Sequence, residues 1–342
     1  ERTKEHGLQI KMVTGDDVAI GDQISSELGL GNTLIAASDL FTKDMDLNHL
    51  PPSITASVEK ADGFARVFPE HKYAIVKALQ SRGHIIAMTG DGVHEAPALK
   101  QADCGSAVSG ANDAARAAAA LFLTGDGLST IVYGIEEARR IFERIINYVI
   151  YRVAMTLDIM FVVVLATIFF GFSPLTPVMI VMLALLDDVP IMTIAYDNTY
   201  LPKEPVRWNM RKLLLGSTYM GLLSVVQTFG LLLIGMAWMN NPELQNWIPL
   251  HQDQIQTIIF LQLVAGGHLL LFVVRNRQRF FQFPYPAAPL LIAITGTQIL
   301  VVFLCAFGWL VTAIPWKVIG LVWLYMIVWM IILDQVKVTI YR

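Results

Sequence analysis

The run Met88-Thr89-Gly90-Asp91-Gly92-Val93-His94-Glu95-Ala96-Pro97 has the composition of a phosphate-handling loop. Its glycines let the backbone close on a ligand, and Asp91 offers a carboxylate to a hard cation such as Mg²⁺. Two other groups could serve the same chemistry. Thr14-Gly15-Asp16 ends a β-rich run and opens a helical one, so a hydroxyl and a backbone N–H meet at a helix N-terminus, a natural anion site. Lys72 opens a second helical run as a point charge suited to a phosphoryl oxygen. Taken singly, a Thr-Gly-Asp is more often a capped helix start and one lysine more often solvated. On successive strand ends of one sheet they become one site, because parallel sheets bind ligands at the carboxyl ends of their strands.

A second constellation lies where charge is costly. Asp158, Asp187 and Asp188 fall in long apolar runs, and an ionisable residue inside a bilayer is a functional candidate by default. With a hairpin near Gly171–Pro174, Asp158 and Asp187 are about equally far from the turn, roughly 21 Å along helices rising 1.5 Å per residue, so they are expected to meet near the midplane. Pro190 lacks an N–H, which frees the carbonyl near Leu186 and predicts local unwinding, a way of building an ion site within a membrane. The acids suit a transported proton; three carboxylates without a basic partner inside these two runs could equally suit a divalent cation. Gln227, Gln262, His268, Gln298 and Asp334 are weaker candidates. Gly266-Gly267-His268 reads as close helix packing, and Asp334 as solvated near an interface.

The chain has 342 residues, is 55% apolar with mean hydropathy +0.54, and carries only 15% charged residues, which excludes an ordinary soluble domain. A net charge of −3 gives no footing for nucleic acid. Cys104 and Cys305 fall in different halves, so no disulfide is expected and the polar half suits a reducing cytosol. Six membrane-length runs lie at about 149–170, 175–196, 213–238, 256–274, 289–308 and 316–335. Arg139, Arg140, Arg144 and Arg152 before the first, Lys203, Arg207, Arg211 and Lys212 after the second, Arg275, Arg277 and Arg279 after the fourth, and Lys337 and Arg342 at the end place both termini on the cytoplasmic side. The loops 171–174 and 239–255 hold no Lys or Arg, and Trp238, Trp247, Trp309 and Trp316 would form an outer aromatic belt.

Before these runs, β-rich segments (Leu8–Val13, Phe64–Phe68, His84–Met88, Cys104–Val108, Leu121–Leu123) alternate with helical ones (Asp17–Leu28, Glu70–Arg82, Ala111–Ala118). That alternation predicts a Rossmann-type parallel sheet over residues 1–128. Glu1–His6 reads as a helix interrupted at its start, as in a piece of a longer protein. Residues 129–148 keep helical spacing through Ile131, Ile135, Ala138, Phe142 and Ile145 and run into the first apolar segment, a stalk able to carry motion to Asp158.

MVTGDD (12–17), FPEHK (68–72) and MTGDGVHEAPALK (88–100) resemble the phosphorylation domain of P-type ATPases, members of the haloacid-dehalogenase (HAD) superfamily. LLDDVPIMTIAYDN (185–198) is similar to the proton-efflux branch, the plasma-membrane H⁺-ATPases, and in particular to prokaryotic ones. The resemblance implies a HAD-like phosphorylation domain followed by a six-helix transmembrane bundle, in a protein that uses ATP and Mg²⁺ to export H⁺ through an aspartyl phosphate. It implies that Thr14 and Gly15 contact the phosphate beside Asp16 in the same catalytic set, Lys72 neutralises it, and Asp91 ligates Mg²⁺ with support at position 95. In plant and fungal relatives the residue matching Asp188 carries the proton, its predecessor is Asn, and Arg stands at the position of Asp158, so the positive countercharge of those relatives is expected to be lacking here.

Two features depart from the family. His94-Glu95 stand where the family has Asn-Asp; Glu95 keeps the charge but moves it outward by about 1.5 Å, and His94 changes shape and titration. The chain has no DKTGT motif, no TGES-like loop, no nucleotide-binding domain and no earlier spans. Three readings follow: the carboxy-terminal part of a plasma (inner) membrane proton pump whose partners are lipid, H⁺ and its own amino-terminal portion; the same part of a divalent-cation pump; or a non-catalytic membrane module. Restoring Asn-Asp at 94–95 in the full-length protein is expected to raise ATPase turnover; an unchanged rate would refute the cost assigned to His94-Glu95.

Overall fold

The computed structural model describes residues 7–42, 45–47, 49–125 and 129–341. The helix expected over Glu1–His6 and the terminal Arg342 lie outside them. Two compact units emerge: Glu1–Glu137 with Lys203–Pro205, and Ala138–Pro202 with Val206–Arg342.

The first unit alternates strands and helices: β1 (Met12–Val13), α1 (Val18–Glu27), β2 (Leu34–Ala36), α2 (Ala37–Leu40), α3 (Pro52–Lys60), β3 (Gly63–Ala65), α4 (Pro69–Ser81), β4 (Ala87–Gly90), α5 (Ala96–Gln101), β5 (Cys104–Ala107), α6 (Asp113–Ala118) and β6 (Leu121–Phe122). Every strand pairing is parallel, as alternation predicts, but the single sheet expected from the sequence is replaced by two. One has the order β1-β3-β2 and the other β4-β5-β6. Alternation fixes parallel pairing without fixing which strands are neighbours, and here β3 and β5 occupy the centres. The two strands ending in Thr-Gly-Asp, β1 and β4, are edges.

Local chemistry sets the helix starts. Asp17 caps α1 by accepting from Ala19 N at 3.2 Å, and Asn112 caps α6 through Ala115 N at 2.9 Å. Pro69 opens α4, where the Phe68 N–H donates to His71 Nδ1 at 3.4 Å and the His71 ring packs 5.3 Å from Phe41. Burial pushes the His71 imidazole below its ordinary value, consistent with a neutral ring that accepts there. Beneath these helices Phe64, Val58, Ala74 and Ile75 form the core.

The second unit is helical. Counting α7, whose first nine residues belong to the other unit, six helices among the described residues are long and apolar enough to cross a bilayer: α7 (Ser129–Phe170), α8 (Pro177–Thr193, extended by a 3-10 turn to Tyr196), α9 (Met210–Met239), a fourth formed by α11 (Gln252–Leu261), a π turn (Gln262–Gly266) and α12 (Gly267–Val274), α13 (Ala288–Phe307), and α14 (Trp316–Tyr341). The short α10 (Pro242–Trp247) precedes α11. The fourth helix is the axis: 89% of its apolar window is buried, against 28% for α7. Gly267 permits this, because a Cβ there would stand 2.8 Å from Met155 Cε on α7. Trp238 and Trp247 stack 5.6 Å apart, and Trp309 lies 5.7 Å from Phe307.

Two expectations are corrected. The helix does not unwind at Pro190: α8 runs unbroken to Thr193, because one missing N–H leaves the rest of the ladder intact. The irregular backbone falls instead at the π turn of the fourth helix. Nor is Asp334 solvated. It is 4% exposed, sits 2.7 Å from Lys337 Nζ and accepts from Phe280 N at 3.0 Å. Its neighbourhood is ordered by a second buried pair, Arg275 and Asp197, both side chains fully inaccessible. Arg275 Nε donates to Asp197 Oδ2 at 2.6 Å, and its remaining N–H groups reach the carbonyls of Pro284 (3.0 Å) and Asn198 (2.9 Å). Asp197 Oδ1 also accepts from Ala287 N at 2.9 Å, and Arg144 Nε reaches the Asp197 carbonyl at 2.8 Å.

Removing one member would strand the other as a buried charge. Asp197→Asn is expected to cost about 3–5 kcal/mol in reversible unfolding of the protein in mild detergent; a loss under about 1 kcal/mol would mean that Arg275 finds water instead.

Candidate functional site

In the α/β unit, Thr14 Oγ1 turns back onto Asp16, donating to Oδ2 at 3.0 Å and accepting from the Asp16 N–H at 3.2 Å. Sheet register brings β3's exit beside it: Arg66 N donates to Asp16 O at 2.8 Å and Val67 N to Thr14 O at 3.1 Å. Arg66, which sequence reasoning missed, takes φ +50°, a left-handed conformation that costs a non-glycine residue of order 1–3 kcal/mol. Its guanidinium holds Asp17 at 3.0 and 2.5 Å and, with the Ala19 N–H, keeps that carboxyl below the usual range. No spacing rule could have found it, since the positive φ appears only once β3 has met β1.

The second sheet presents its loop through a different residue from the one expected. Gly90 ends β4, and a Cβ there would lie 2.6 Å from Glu95 Cβ, so the glycine is needed for Glu95 to fold over it. Glu95 Oε2 accepts from Gly92 N at 3.0 Å, while Oε1 takes the Lys72 ammonium. Burial raises the Glu95 carboxyl, but the hydrogen bond and charge of Lys72, with the backbone N–H groups, outweigh it and leave it below its ordinary value. Lys72 thus ties the start of α4 to the β4 loop. Asp91 and His94 stand exposed beside it. As a Mg²⁺ site, Asp91 fits: it is an accessible carboxylate, and Mg²⁺ commonly takes one or two carboxylates with waters and phosphate oxygens. Glu95 does not fit as a ligand in this arrangement, because both of its oxygens are engaged.

In the helical unit the three carboxylates do not share one site. Asp158, 4% exposed, accepts from Thr228 Oγ1 of α9 at 2.9 Å. Asp187, also 4% exposed, has His268 Nε2 at 3.5 Å. Asp188 is half-exposed and meets Arg152 at 3.3 Å. The expected convergence of Asp158 and Asp187 is therefore replaced by separate partners, since adjacent helices set depth but rotation about each axis sets direction. The expected lack of a positive countercharge is corrected too: Arg152 supplies it to Asp188 from α7. Pro190 is buried just below. A groove of about 360 Å³ between α7 and α8, lined by Arg152, Thr156, Ile159 and Leu183, leads to Asp187.

No protein-family profile matches the chain. A protein of Methanocaldococcus jannaschii, provisionally named a cation-transporting ATPase, is 46% identical to it over 342 residues. The alignment takes in 100% of this chain and 41% of that protein, so the chain spans about two fifths of the length of the relative it matches.

Because the Glu95 carboxyl titrates below its unfolded value, its contact with Lys72 stabilises fully above about pH 4.3 and is lost as pH falls through the lower folded value. Glu95→Gln is expected to melt below the parent protein at neutral pH, with the gap closing in acid. A gap independent of pH would show that the contact is one of packing rather than charge.

Proposed function

We propose that the chain is the carboxy-terminal portion of a P-type ATPase: a HAD-like phosphorylation domain followed by the last six spans. We infer that the complete protein hydrolyses ATP with Mg²⁺ to export protons across the plasma (inner) membrane. The observation that carries the ion assignment is that the two buried carboxylates have different partners, Thr228 for Asp158 and His268 for Asp187. Asp158 and Asp187 each have one dedicated partner, an arrangement suited to a species needing a single oxygen and not to a divalent cation needing six or more. The relative's name supports ATP-driven cation movement and leaves the ion open.

In this reading Thr14 and Gly15 offer a hydroxyl and a backbone N–H to the phosphoryl group, with Asp16 holding the threonine rotamer. Lys72 exchanges Glu95 for a phosphoryl oxygen, a swap between two anions that keeps the lysine paired throughout. Asp91 would hold Mg²⁺, which supplies charge neutralisation at the phosphate. β1 and β4, both sheet edges, leave room for a strand from the rest of a longer protein to join the two sheets. The 42-residue α7 carries movement of the phosphorylation domain to Asp158, and the Arg and Lys clusters keep both ends of the chain cytoplasmic.

In sealed vesicles, the full-length protein is expected to move protons on ATP addition without any transported metal, and Asp187→Asn to lower that rate at least about ten-fold, or about 1.4 kcal/mol of barrier. A strict requirement for a transported divalent cation would replace the proton with that ion.

A further inference from the structure

A buried carboxylate of α8 faces a histidine, and neither facing atom is satisfied. His268 is fully buried on α12, with Nε2 3.5 Å from Asp187 Oδ1. Among the described residues, both atoms lack a hydrogen-bond partner, as does Gln298 Oε1 beside them. Buried polar atoms are ordinarily paired, so three orphans in one place mark a site arranged for something it gains. The other face of the ring is read by Gln298, whose Nε2 stands 3.1 Å from His268 Nδ1 and 3.2 Å from the Ala265 carbonyl. Thr297 Oγ1 lies 3.5 Å from the same nitrogen. A donor at Nδ1 places the proton of a neutral ring on Nε2, aimed at Asp187.

We propose that Asp187 and His268 form a shared proton-binding pair, a second titratable group added to the ion site from the fourth span. With Asp187 ionised and His268 neutral the pair carries one uncompensated negative charge in a low-dielectric interior, which is costly. One proton taken from solution removes that charge, whether it resides on the carboxylate or on the ring. On the ring it creates a charge-assisted contact to Asp187 at Nε2 and a new donor at Nδ1, which Gln298 meets by turning its unpartnered Oε1 toward it. The pair's part in transport rests on the reading above; the shared proton does not.

Other titratable groups face this neighbourhood from the packed elements. From α8, Asp188 pairs with Arg152 of α7. From α7, Asp158 is held through one oxygen by Thr228, and the Tyr151 hydroxyl, itself without a hydrogen-bond partner among the described residues, packs at Gly267. From α14, Asp334 pairs with Lys337, and Tyr325 donates to the Gln227 carbonyl; α13 brings Cys305, and α9 the exposed Tyr219. Asp187 is the anion left to His268. Sequence reasoning assigned Gly266-Gly267-His268 to packing, and Gly267 does pack against α7, but the π turn rotates the next residue into the ion site.

The test is difference infrared spectroscopy of the full-length protein in nanodiscs as pH is stepped, with Asp187→Asn identifying the carboxylic-acid band and His268→Gln the imidazole bands. The carboxyl and ring signals are expected to change at one common pH. His268→Gln should move protonation of Asp187 to a proton concentration at least about ten-fold lower, and Asp187→Asn should move that of His268 at least about ten-fold higher. Either shift, read in whichever variant folds, supports the pair; midpoints that stay put in the partner's absence overturn it. ATP-driven transport by the same protein in sealed vesicles separates the two claims. Coupled midpoints with a metal as cargo would refute the proton pump and leave the pair standing, and proton transport with uncoupled midpoints would do the reverse.

Discussion

A charge buried among apolar helices must be compensated where it stands, and the helical unit is organised by how completely each of its buried charges meets that demand. Arg275 and Asp197 meet it fully: a bidentate pair is surrounded by the Pro284, Asn198 and Ala287 backbone groups, and Arg144 holds the carbonyl of the same aspartate. One interaction therefore fixes the exit of α8, the end of α12 and the entry to α13. Asp334 and Lys337 repeat the solution on α14, with Lys337 also reaching the Val273 carbonyl at 2.8 Å. Asp158 and Asp187 meet the demand only in part, each retaining an oxygen without a hydrogen bond. The contrast is what separates scaffold from site: saturated pairs gain nothing from a ligand, and unsaturated ones do.

The α/β unit obeys the same rule with weaker penalties, because its charges lie near water. Glu95 and Lys72 satisfy one another across the two sheets' loops, and the pair stands in for the anion that the loop's shape otherwise accommodates. A carboxylate one methylene shorter would have to give up either Gly92 N or Lys72, so the length of the side chain at position 95 decides how firmly the lysine is held. Arg66 spends backbone strain on Asp17 in the same neighbourhood, which keeps Thr14, Asp16 and the start of α1 in one arrangement.

Legibility followed the range of the forces involved. Apolar run length and 3.6-residue periodicity are local, and they located all six bilayer-length helices and the parallel character of the strands. Caps at Asp17 and Asn112 were equally local. Neighbour choice in the sheets was not, and the single sheet became two because strands of two to four residues carry no signal about which edge they join. Depth along a helix could be counted from the turn near Gly171, but facing could not, which is why Asp158 and Asp187 were expected together and are found with different partners. Asp334 was misjudged for a related reason: proximity to the end of an apolar run suggests water, whereas the Phe280 N–H that it meets arrives from the fold.

The π turn shows why the most informative residue was the least legible. An α-helix through Gln262–Gly266 would follow a 100° step per residue, and His268 would be placed by the same wheel as its neighbours. One extra residue in the turn shifts everything beyond it, so Gly267 meets Tyr151 and Met155 of α7 while His268 turns to Asp187 and Gln298. The glycines make the insertion cheap by lowering the cost of leaving the regular helix, and the close approach to α7 stabilises it. Such a turn also has a nearby alternative, the regular helix, with a different facing for every residue that follows. The carboxylate on α8 and the ring on α12 therefore meet beyond the irregular segment of the fourth helix.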